Sequence, residues 1–302
     1  MDVPFHYDHA DALVFGGALP IRRRFADSAI VVLPVPVDRT TSYVGGTRNG
    51  PHEILQASSH MELWDEELKV DVHGVGICTL PEMELPFGEM EPLLEEIERV
   101  GYEIIGRDKF LVTLGGEHSI TPPLVSAAAR KYPGLSVLQI DAHADMRDAY
   151  MGTPHNHACA MRRALEYARL TQVGIRSLST EEAEILPRLN TTVFFDVDMR
   201  RTPRWIDAVV DSLAADVYLS IDVDGIDPAI MPATGTPEPG GLTWTEITAL
   251  VRAVAERRRI IAADMVELSP IPGLVAPNFL AAKLIYKLLT YKFASHERSK
   301  RI

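Results

Sequence analysis

The feature that most constrains this chain is a short apolar run that ends in two aspartates and a histidine. The run 137–140 predicts a buried strand, and Asp141, His143 and Asp145 follow it at alternate positions. Because side chains of an extended backbone alternate between two faces, all three leave the same side of the strand end. Carboxylates and an imidazole crowded together destabilise one another unless a positive charge lies between them. A divalent metal ion explains the pattern most simply, and the alternative is a polar loop without a ligand.

Three further apolar runs also end in ionisable residues. These runs are 110–114 before His118, 217–221 before Asp222 and Asp224, and 260–266 before Glu267. In an open parallel sheet, the carboxyl ends of the strands lie side by side and form the ligand crevice. We therefore expect the four motifs to converge in space although they are far apart in sequence.

Strand-length apolar runs alternate with segments of helical periodicity along the rest of the chain. We predict helices at 89–107, 121–131, 158–168, 180–189, 203–214, 243–257 and 277–291, and a short edge strand at 75–78. This alternation predicts an α/β fold, a three-layer αβα sandwich around a mostly parallel sheet. Because no linker interrupts it, residues 1–302 are expected to form a single domain, with an N-terminal arm at 1–27. The tail, 293–302, is expected to fray from Ser295.

The composition excludes several classes of protein. The 302 residues include 42 acidic residues against 30 lysines and arginines, a net charge of −12 that disfavours nucleic-acid binding. Two cysteines, Cys78 and Cys159, provide no disulfide framework. No apolar run is long enough to span a membrane, and the first residues carry no basic signal-peptide region. We therefore expect a cytoplasmic protein that binds neither nucleic acid nor a membrane.

The motifs together supply six candidate metal ligands: His118, Asp141, His143, Asp145, Asp222 and Asp224. Six donors exceed what one tetrahedral zinc ion accepts, yet they are too few for two separate closed sites. Two ions that share bridging carboxylates fit this number. Ligation by oxygen and imidazole without thiolate favours manganese or a similar ion, and such a pair holds a bridging hydroxide at neutral pH.

On these residues the chain resembles the ureohydrolase family, which includes arginases and agmatinases. The segments LGGEHSI (114–120), DAHAD (141–145) and SIDVDGIDP (220–228) are similar to its three signatures. The segment GTPEPGGL (235–242) and Glu267 also match, in the same order. The resemblance extends from about Ser42 to Glu267. It implies an arginase-like fold, two Mn²⁺ per subunit, and hydrolysis of a guanidino group to urea and an amine.

The resemblance also implies roles for individual residues. The metal-bridging hydroxide would attack the guanidinium carbon, and Asp145 would both bind an ion and orient that hydroxide. Glu267 would receive the guanidinium, which a carboxylate can hold through two parallel hydrogen bonds. His157 occupies the place of the histidine that passes a proton to the departing amine, although the family's Ser-His-Gly context is absent and His155 is a rival. Asp227 is interpreted as a turn former.

The expected substrate is a small cationic guanidino compound, most simply agmatine, which would yield putrescine in polyamine biosynthesis. The loop 146–157 lacks the Ser-Gly-Asn-Leu-His-Gly arrangement with which arginases position a carboxylate, whereas Arg147 leaves open arginine or a guanidino acid such as guanidinobutyrate. Two further classes stay open, a metal-binding pseudoenzyme and a deacetylase with a single zinc ion. Relatives are commonly trimers or hexamers, so the resemblance implies a homo-oligomer.

Overall fold

The computed structural model of this protein describes residues 13–17, 24–86 and 88–299. Most of the predicted N-terminal arm, and residues 300–302 of the tail, lie outside these ranges. Of the arm, the structure describes residues 13–17, Arg24 and the short 3₁₀ helix Phe25–Asp27. Arg24 forms an ion pair with Asp27 of this helix.

The described residues form an eight-stranded sheet in which every strand is parallel to its neighbours. The strands are β1 (Ile30–Val35), β2 (Ile77–Thr79), β3 (Phe110–Gly115), β4 (Ser136–Ile140), β5 (Arg169–Ile175), β6 (Thr191–Phe195), β7 (Asp216–Asp222) and β8 (Arg259–Val266). Their order across the sheet is β2-β1-β3-β8-β7-β4-β5-β6. Most central strand residues are buried, because helices cover both faces of a parallel sheet.

Nine α-helices of the described ranges connect or follow the strands. They are α1 (Gly50–Ser58), α2 (Met90–Gly106), α3 (Thr121–Lys131), α4 (Ala160–Ala164), α5 (Thr180–Ile185), α6 (Asp196–Met199), α7 (Trp205–Ser212), α8 (Trp244–Arg257) and α9 (Ala276–Ser299). One apolar layer packs α1, α7, α8 and α9 against the sheet, and the opposite layer packs α2, α3 and α4. The predicted three-layer αβα sandwich is therefore confirmed, with an all-parallel rather than a mostly parallel sheet.

Three predicted helix ends differ from the structure by four residues or more. Helix α4 ends at Ala164, not Ala168, because the chain leaves it through turns before β5 begins at Arg169. Helix α5 ends at Ile185, and Pro187, which has no amide hydrogen, lies in a 3₁₀ turn that follows it. Helix α9 continues beyond the predicted end to Ser299, because no glycine or proline interrupts it and Ala294 is still buried.

The strands that carry the four sequence motifs are adjacent in the sheet, in the order β3-β8-β7-β4. Their carboxyl ends therefore meet at a common edge, as the sequence predicted. The turn after β3 requires glycine, since a Cβ atom on Gly116 would lie 1.8 Å from the carbonyl oxygen of Val37. This close approach brings the loop after β1 next to the motif that contains His118.

No helix in the described part of the chain is both long enough and apolar enough to cross a bilayer.

Candidate metal centre and active site

All six predicted metal ligands lie together at the carboxyl edge of the sheet. Five of them are buried, and the imidazole of His143 is about one quarter exposed. Two groups of three have donor atoms within 4.8 Å of one another: His118 with Asp141 and Asp145, and His143 with Asp141 and Asp224. Asp141 belongs to both groups. The arrangement is suited to two adjacent ions that share one carboxylate.

Three carboxylates surround the Nδ1 atom of His118. This nitrogen lies 3.2 Å from Asp141 Oδ2, 3.0 Å from Asp145 Oδ2 and 3.3 Å from Asp222 Oδ2. None of these contacts has the geometry of a hydrogen bond, and Nδ1 is buried without a hydrogen-bond partner among the described residues. Nδ1 and the three carboxylate oxygens therefore lie close together. A hydrogen on Nδ1 would not form a hydrogen bond of good geometry with any of the three oxygens.

The opposite nitrogen of His118 is held by a chain of hydrogen bonds. Nε2 lies 2.9 Å from the hydroxyl oxygen of Ser220, and that hydroxyl donates to Asp264 Oδ1 at 2.7 Å. Since the only hydroxyl hydrogen of Ser220 goes to Asp264, the serine oxygen must accept from Nε2–H. A neutral His118 therefore directs the lone pair of Nδ1 at the three carboxylates, which is the orientation a metal ligand needs.

The second group is built around His143. Its Nδ1 atom lies 2.9 Å from Asp224 Oδ2 and 3.6 Å from Asp141 Oδ1. Backbone amides orient the carboxylates: His143 N donates to Asp141 Oδ1, Ala142 N donates to Asp224 Oδ1, and Asp224 N donates to Asp222 Oδ1. The acids are therefore fixed by the turns that follow β4 and β7, and they do not depend on one another for their orientation.

The electrostatics show that these acids are both buried and crowded together. Burial and the charges of Asp224 and Asp141 raise the pKa of Asp222 well above its ordinary value. Burial and the charge of Asp141 raise the pKa of Asp224 to about 6. Burial opposes protonation of His143, but the charge of Asp224 and hydrogen bonds to the aspartates raise its pKa to about 12. Like charges are thus crowded at the site, and a divalent ion relieves this repulsion.

The residues present fit a pair of metal ions. Aspartate oxygens and imidazole nitrogens are the donors that manganese and similar ions accept. Two observations support this fit. His118 Nδ1 has no hydrogen-bond partner among the described residues, and Asp141 belongs to both groups of donors. The backbone is strained close to this edge, since Asp145 has a φ of 53° and Glu267 a φ of 65°. Strain of this kind in non-glycine residues is concentrated at functional sites.

A cavity of about 240 Å³ opens above the two groups. Its walls include the ligands His143, Asp145, Asp222 and Asp224, the predicted catalytic residues His157 and Glu267, and the residues Arg147, Tyr150 and Glu182. Glu267 Oε1 accepts a hydrogen bond from the backbone amide of His118 at 2.7 Å. The acid at the end of β8 is therefore tied directly to the metal-ligand motif at the end of β3.

The structure separates the two histidines that compete for the role of proton carrier. His157 lines the cavity, and its Nδ1 lies 3.5 Å from Glu267 Oε1. Its buried Nε2 has no hydrogen-bond partner among the described residues. His155 instead lies 3.4 Å from Glu91 Oε1 and lines a different cavity, next to α2 and α3. Only His157 of this pair is placed beside the predicted ligands.

Several supporting residues were missed by the sequence analysis. Ser220 and Gln139 lie two positions before Asp222 and Asp141, so the alternation of side chains along a strand is a signal that finds them. Gln139 donates to Asp141 Oδ2 at 2.6 Å. Asp264 of β8 accepts from Thr121 at the start of α3 and also from Tyr218 and Ser220. Asp227 accepts from the amide of Ala229, consistent with a turn former.

An all-parallel αβα sandwich with buried acids and imidazoles at its carboxyl edge is an α/β protein with a site suited to metal ions. The model of the arginase family matches residues 28–290, nearly the whole chain. The chain belongs to the arginase family, and it is a ureohydrolase, a hydrolase that acts on guanidino compounds.

Individual relatives support this assignment. The chain is 40% identical over 275 residues to the N(1)-aminopropylagmatine ureohydrolase of a Synechocystis species, with 88% of this chain and 90% of the relative covered. It is 35% identical to the agmatinase of Bacillus cereus, with 82% of this chain and 86% of that protein covered. The solved structure of the agmatine ureohydrolase of Thermoplasma volcanium superimposes with a TM-score of 0.83 at 32% identity, covering 91% and 93% of the two chains.

Proposed function

We propose that this protein hydrolyses agmatine to putrescine and urea. The observation that carries the proposal is the pair of ligand groups that share Asp141 and lie beneath a cavity lined by Glu267 and His157. The similarity to agmatinases and to N(1)-aminopropylagmatine ureohydrolases supports a guanidino compound with an amine tail as the substrate.

We assign the six ligands to two manganese ions. His118, Asp141, Asp145 and Asp222 would hold the first ion, because the three carboxylates converge on His118 Nδ1. His143, Asp141 and Asp224 would contribute to the second ion. When bound, the ions supply a water activated for hydrolysis at neutral pH. Asp145 adds a carboxylate that can orient this water.

Glu267 and His157 act on the substrate in this proposal. The carboxylate of Glu267 receives the guanidinium by charge-assisted hydrogen bonds and places the guanidinium carbon above the ligand groups. Burial alone would lower the pKa of His157, but the hydrogen bond and charge of Glu267 raise it above its ordinary value. The hydrogen bond and charge of Glu267 thus favour the protonated form of His157, which can donate a proton to the departing amine.

Arg147 bears on the choice between an amine and a carboxylate at the other end of the substrate. Its Nε lies 3.9 Å from Glu182 Oε2, and its guanidinium lies 4.7 Å from the centre of the Tyr150 ring. Because Glu182 and Tyr150 already engage this cation, it is less available to a substrate carboxylate. This supports agmatine over arginine and guanidinobutyrate.

A second candidate substrate is N(1)-aminopropylagmatine, which carries the same guanidino group on a longer polyamine. The 40% identity to a protein of that activity favours it. In either case the product is a polyamine or its precursor, so we place the enzyme in polyamine biosynthesis. We further propose a cytoplasmic homo-oligomer, a trimer or hexamer, as the resemblance to the family implies.

Urea release by the manganese-loaded protein tests the proposal. We expect kcat/KM for agmatine or N(1)-aminopropylagmatine to exceed that for arginine and guanidinobutyrate by at least tenfold, about 1.4 kcal/mol. A preference for arginine or guanidinobutyrate would contradict the substrate assignment and leave the chemistry intact. No urea from any of the four compounds would indicate a pseudoenzyme, and one zinc ion per chain would favour a deacetylase.

A further inference from the structure

The residue before His118 forms a buried centre that the proposed chemistry does not use. Glu117 is fully buried and accepts four hydrogen bonds. Its Oε2 accepts from the amides of Arg39 and Thr40 at 2.5 and 2.6 Å, and its Oε1 accepts from the hydroxyls of Thr40 and Ser119 at 2.7 and 2.6 Å. This carboxylate therefore fixes the loop after β1, and Thr40 above all.

Thr40 in turn contacts the loop that carries His157. The amide of His157 donates to Thr40 Oγ1 at 2.9 Å, and the side-chain amide of Asn156 donates to the carbonyl of Thr40 at 3.3 Å. The hydroxyl of Thr40 therefore makes two hydrogen bonds: it donates one to Glu117 and accepts one from the amide of His157. Thr40 lies 117 positions from His157 in sequence, and the contact joins two otherwise separate loops.

The amide of His157 needs this acceptor for a reason of local structure. His157 begins a 3₁₀ turn that leads into α4, and the first amides of a helical segment have no acceptor within it. Asn156 caps the next amide, that of Ala158, at 3.0 Å. The Thr40 hydroxyl is the acceptor for the amide of His157 itself. It therefore fixes the backbone position from which the imidazole extends into the cavity.

We propose that Thr40, held by Glu117, is a positioning residue for His157 in proton transfer, an inference that rests on the proposed function of His157. The GGEHS motif then has two roles. His118 orients its imidazole to the proposed metal site, while the adjacent Glu117 orients the proton carrier through Thr40. Glu117 and His118 are consecutive residues, so a single turn fixes the position of the proton carrier relative to the proposed metal ligands.

Substitutions at Thr40 test this inference, with a matched control at the same position. Thr40→Val has nearly the same shape but lacks both hydrogen bonds, and Thr40→Ala lacks them with a smaller side chain if the valine variant folds poorly. Thr40→Ser retains the hydroxyl. We expect Thr40→Val to lower kcat about 10- to 100-fold with KM little changed, because small displacements of a reacting group cost rates of this order. Thr40→Ser restores most of the activity, and manganese content stays at the wild-type value in all variants.

A double-mutant cycle separates positioning from a general structural role. If Thr40 acts through His157, Thr40→Val causes no further loss in a His157→Ala background. Equal losses in both backgrounds would overturn the inference, as would wild-type kcat in both Thr40→Val and Thr40→Ala. Loss of activity on Thr40→Ser equal to that of Thr40→Val would also overturn it.

Crystal structures of the variants provide a readout that does not depend on turnover. We expect the distance from His157 Nδ1 to Glu267 Oε1 to increase from 3.5 Å in Thr40→Val and to be retained in Thr40→Ser. An unchanged distance in Thr40→Val would refute the positioning role. Absence of urea production by the wild-type protein would instead refute the proposed function, so the two failures are distinguishable.

Discussion

Two clusters of this protein place three carboxylates around one buried nitrogen atom. In the first, Asp141, Asp145 and Asp222 lie 3.0–3.3 Å from His118 Nδ1. In the second, Asp65, Glu66 and Glu67 lie 2.8, 3.0 and 3.3 Å from the Nζ atom of Lys287, a residue of α9. The distances are nearly the same, yet Lys287 Nζ carries three donor hydrogens and His118 Nδ1 carries at most one.

The lysine cluster contains its own positive charge, although Asp65 Oδ2, 2.8 Å from Lys287 Nζ, has no hydrogen bond of good geometry among the described residues. Lys287 carries a positive charge and three donor hydrogens, and it donates hydrogen bonds to Glu66 and Glu67. Tyr291 and Arg252 also donate to Glu67. Although burial opposes ionisation of Lys287, its hydrogen bonds to the carboxylates raise its pKa. The cluster is a structural connection between α9 and the loop before β2.

Among the described residues, no lysine or arginine supplies a fixed positive charge at the centre of the histidine cluster. Within the described ranges, no lysine or arginine forms an ion pair with Asp141, Asp145 or Asp222, and His118 Nδ1 has no hydrogen-bond partner there. Converging carboxylates alone therefore do not identify a metal site. The feature that favours a metal ion is the nitrogen at the centre, which has no hydrogen-bond partner among the described residues and offers a lone pair when the imidazole is neutral.

The largest expected effect comes from removing the shared ligand. Asp141→Asn should lower urea production by at least about 10²–10³-fold, the loss typical for one preorganised electrostatic group. The same change at Asp65 is the matched control, since it alters a buried carboxylate of the lysine cluster and should leave kcat of the folded protein unchanged. Steady-state assays with manganese analysis measure both. Full activity in Asp141→Asn would contradict the shared-ligand assignment.

Removing the central cation of the second cluster should affect stability instead. Lys287→Met leaves the buried carboxylate of Asp65 without its cation, since the side chains of Lys287 and Asp65 are only 4% and 1% exposed. We expect the free energy of unfolding to fall by about 3–5 kcal/mol, as for other broken buried ion pairs. Denaturant unfolding measures this change. Loss of bound manganese in the folded variant would show that the two clusters are coupled, whereas we expect them to be independent.

The smallest expected effect is the release of protons when manganese binds. Metal ligation requires a neutral imidazole, whereas His143 in the metal-free chain has a pKa of about 12 and is protonated at neutral pH. Manganese binding should therefore release protons, and affinity should fall as the pH is lowered. Calorimetry in buffers of different ionisation enthalpy measures this release, and no release between about pH 7 and 8 would contradict it.

The same shift has a consequence for the stability of the metal-free protein. Because the folded pKa of His143 is raised, its contribution to stability is fully present below the unfolded value of about 6.5. This contribution is lost as the pH rises toward the folded pKa of about 12. The increase in thermal stability caused by added manganese should therefore grow as the pH rises above about 6.5. Thermal unfolding with and without the metal measures this increase.

Much of the fold and of the site was predictable from the sequence because both follow simple periodicities. Apolar runs of strand length marked the strands, and the alternation of Asp141, His143 and Asp145 placed three donors on one side. Parallel topology then brought distant strand ends together. The structure gathers all six predicted ligands at this edge, whereas their individual roles stay predictions.

Alternation along the strands could have found Ser220 and Gln139, whereas the contacts between loops were not predictable, because they join residues without a common periodicity. Thr40 and His157 lie in irregular loops whose contact depends on tertiary packing, and the turn at Gly116 brings Glu117 to Thr40. The ends of α5 and α9 depended on local features, a proline in one case and continued burial in the other. Whether His155 or His157 enters the cavity likewise depended on the path of one loop.

Anomalous diffraction from crystals grown with manganese tests the shared-carboxylate metal pair most directly. We predict two peaks per chain about 3.5–4 Å apart, one bound by His118 and the other by His143, with Asp141 in contact with both. A single peak, or two peaks that do not share Asp141, would contradict this assignment.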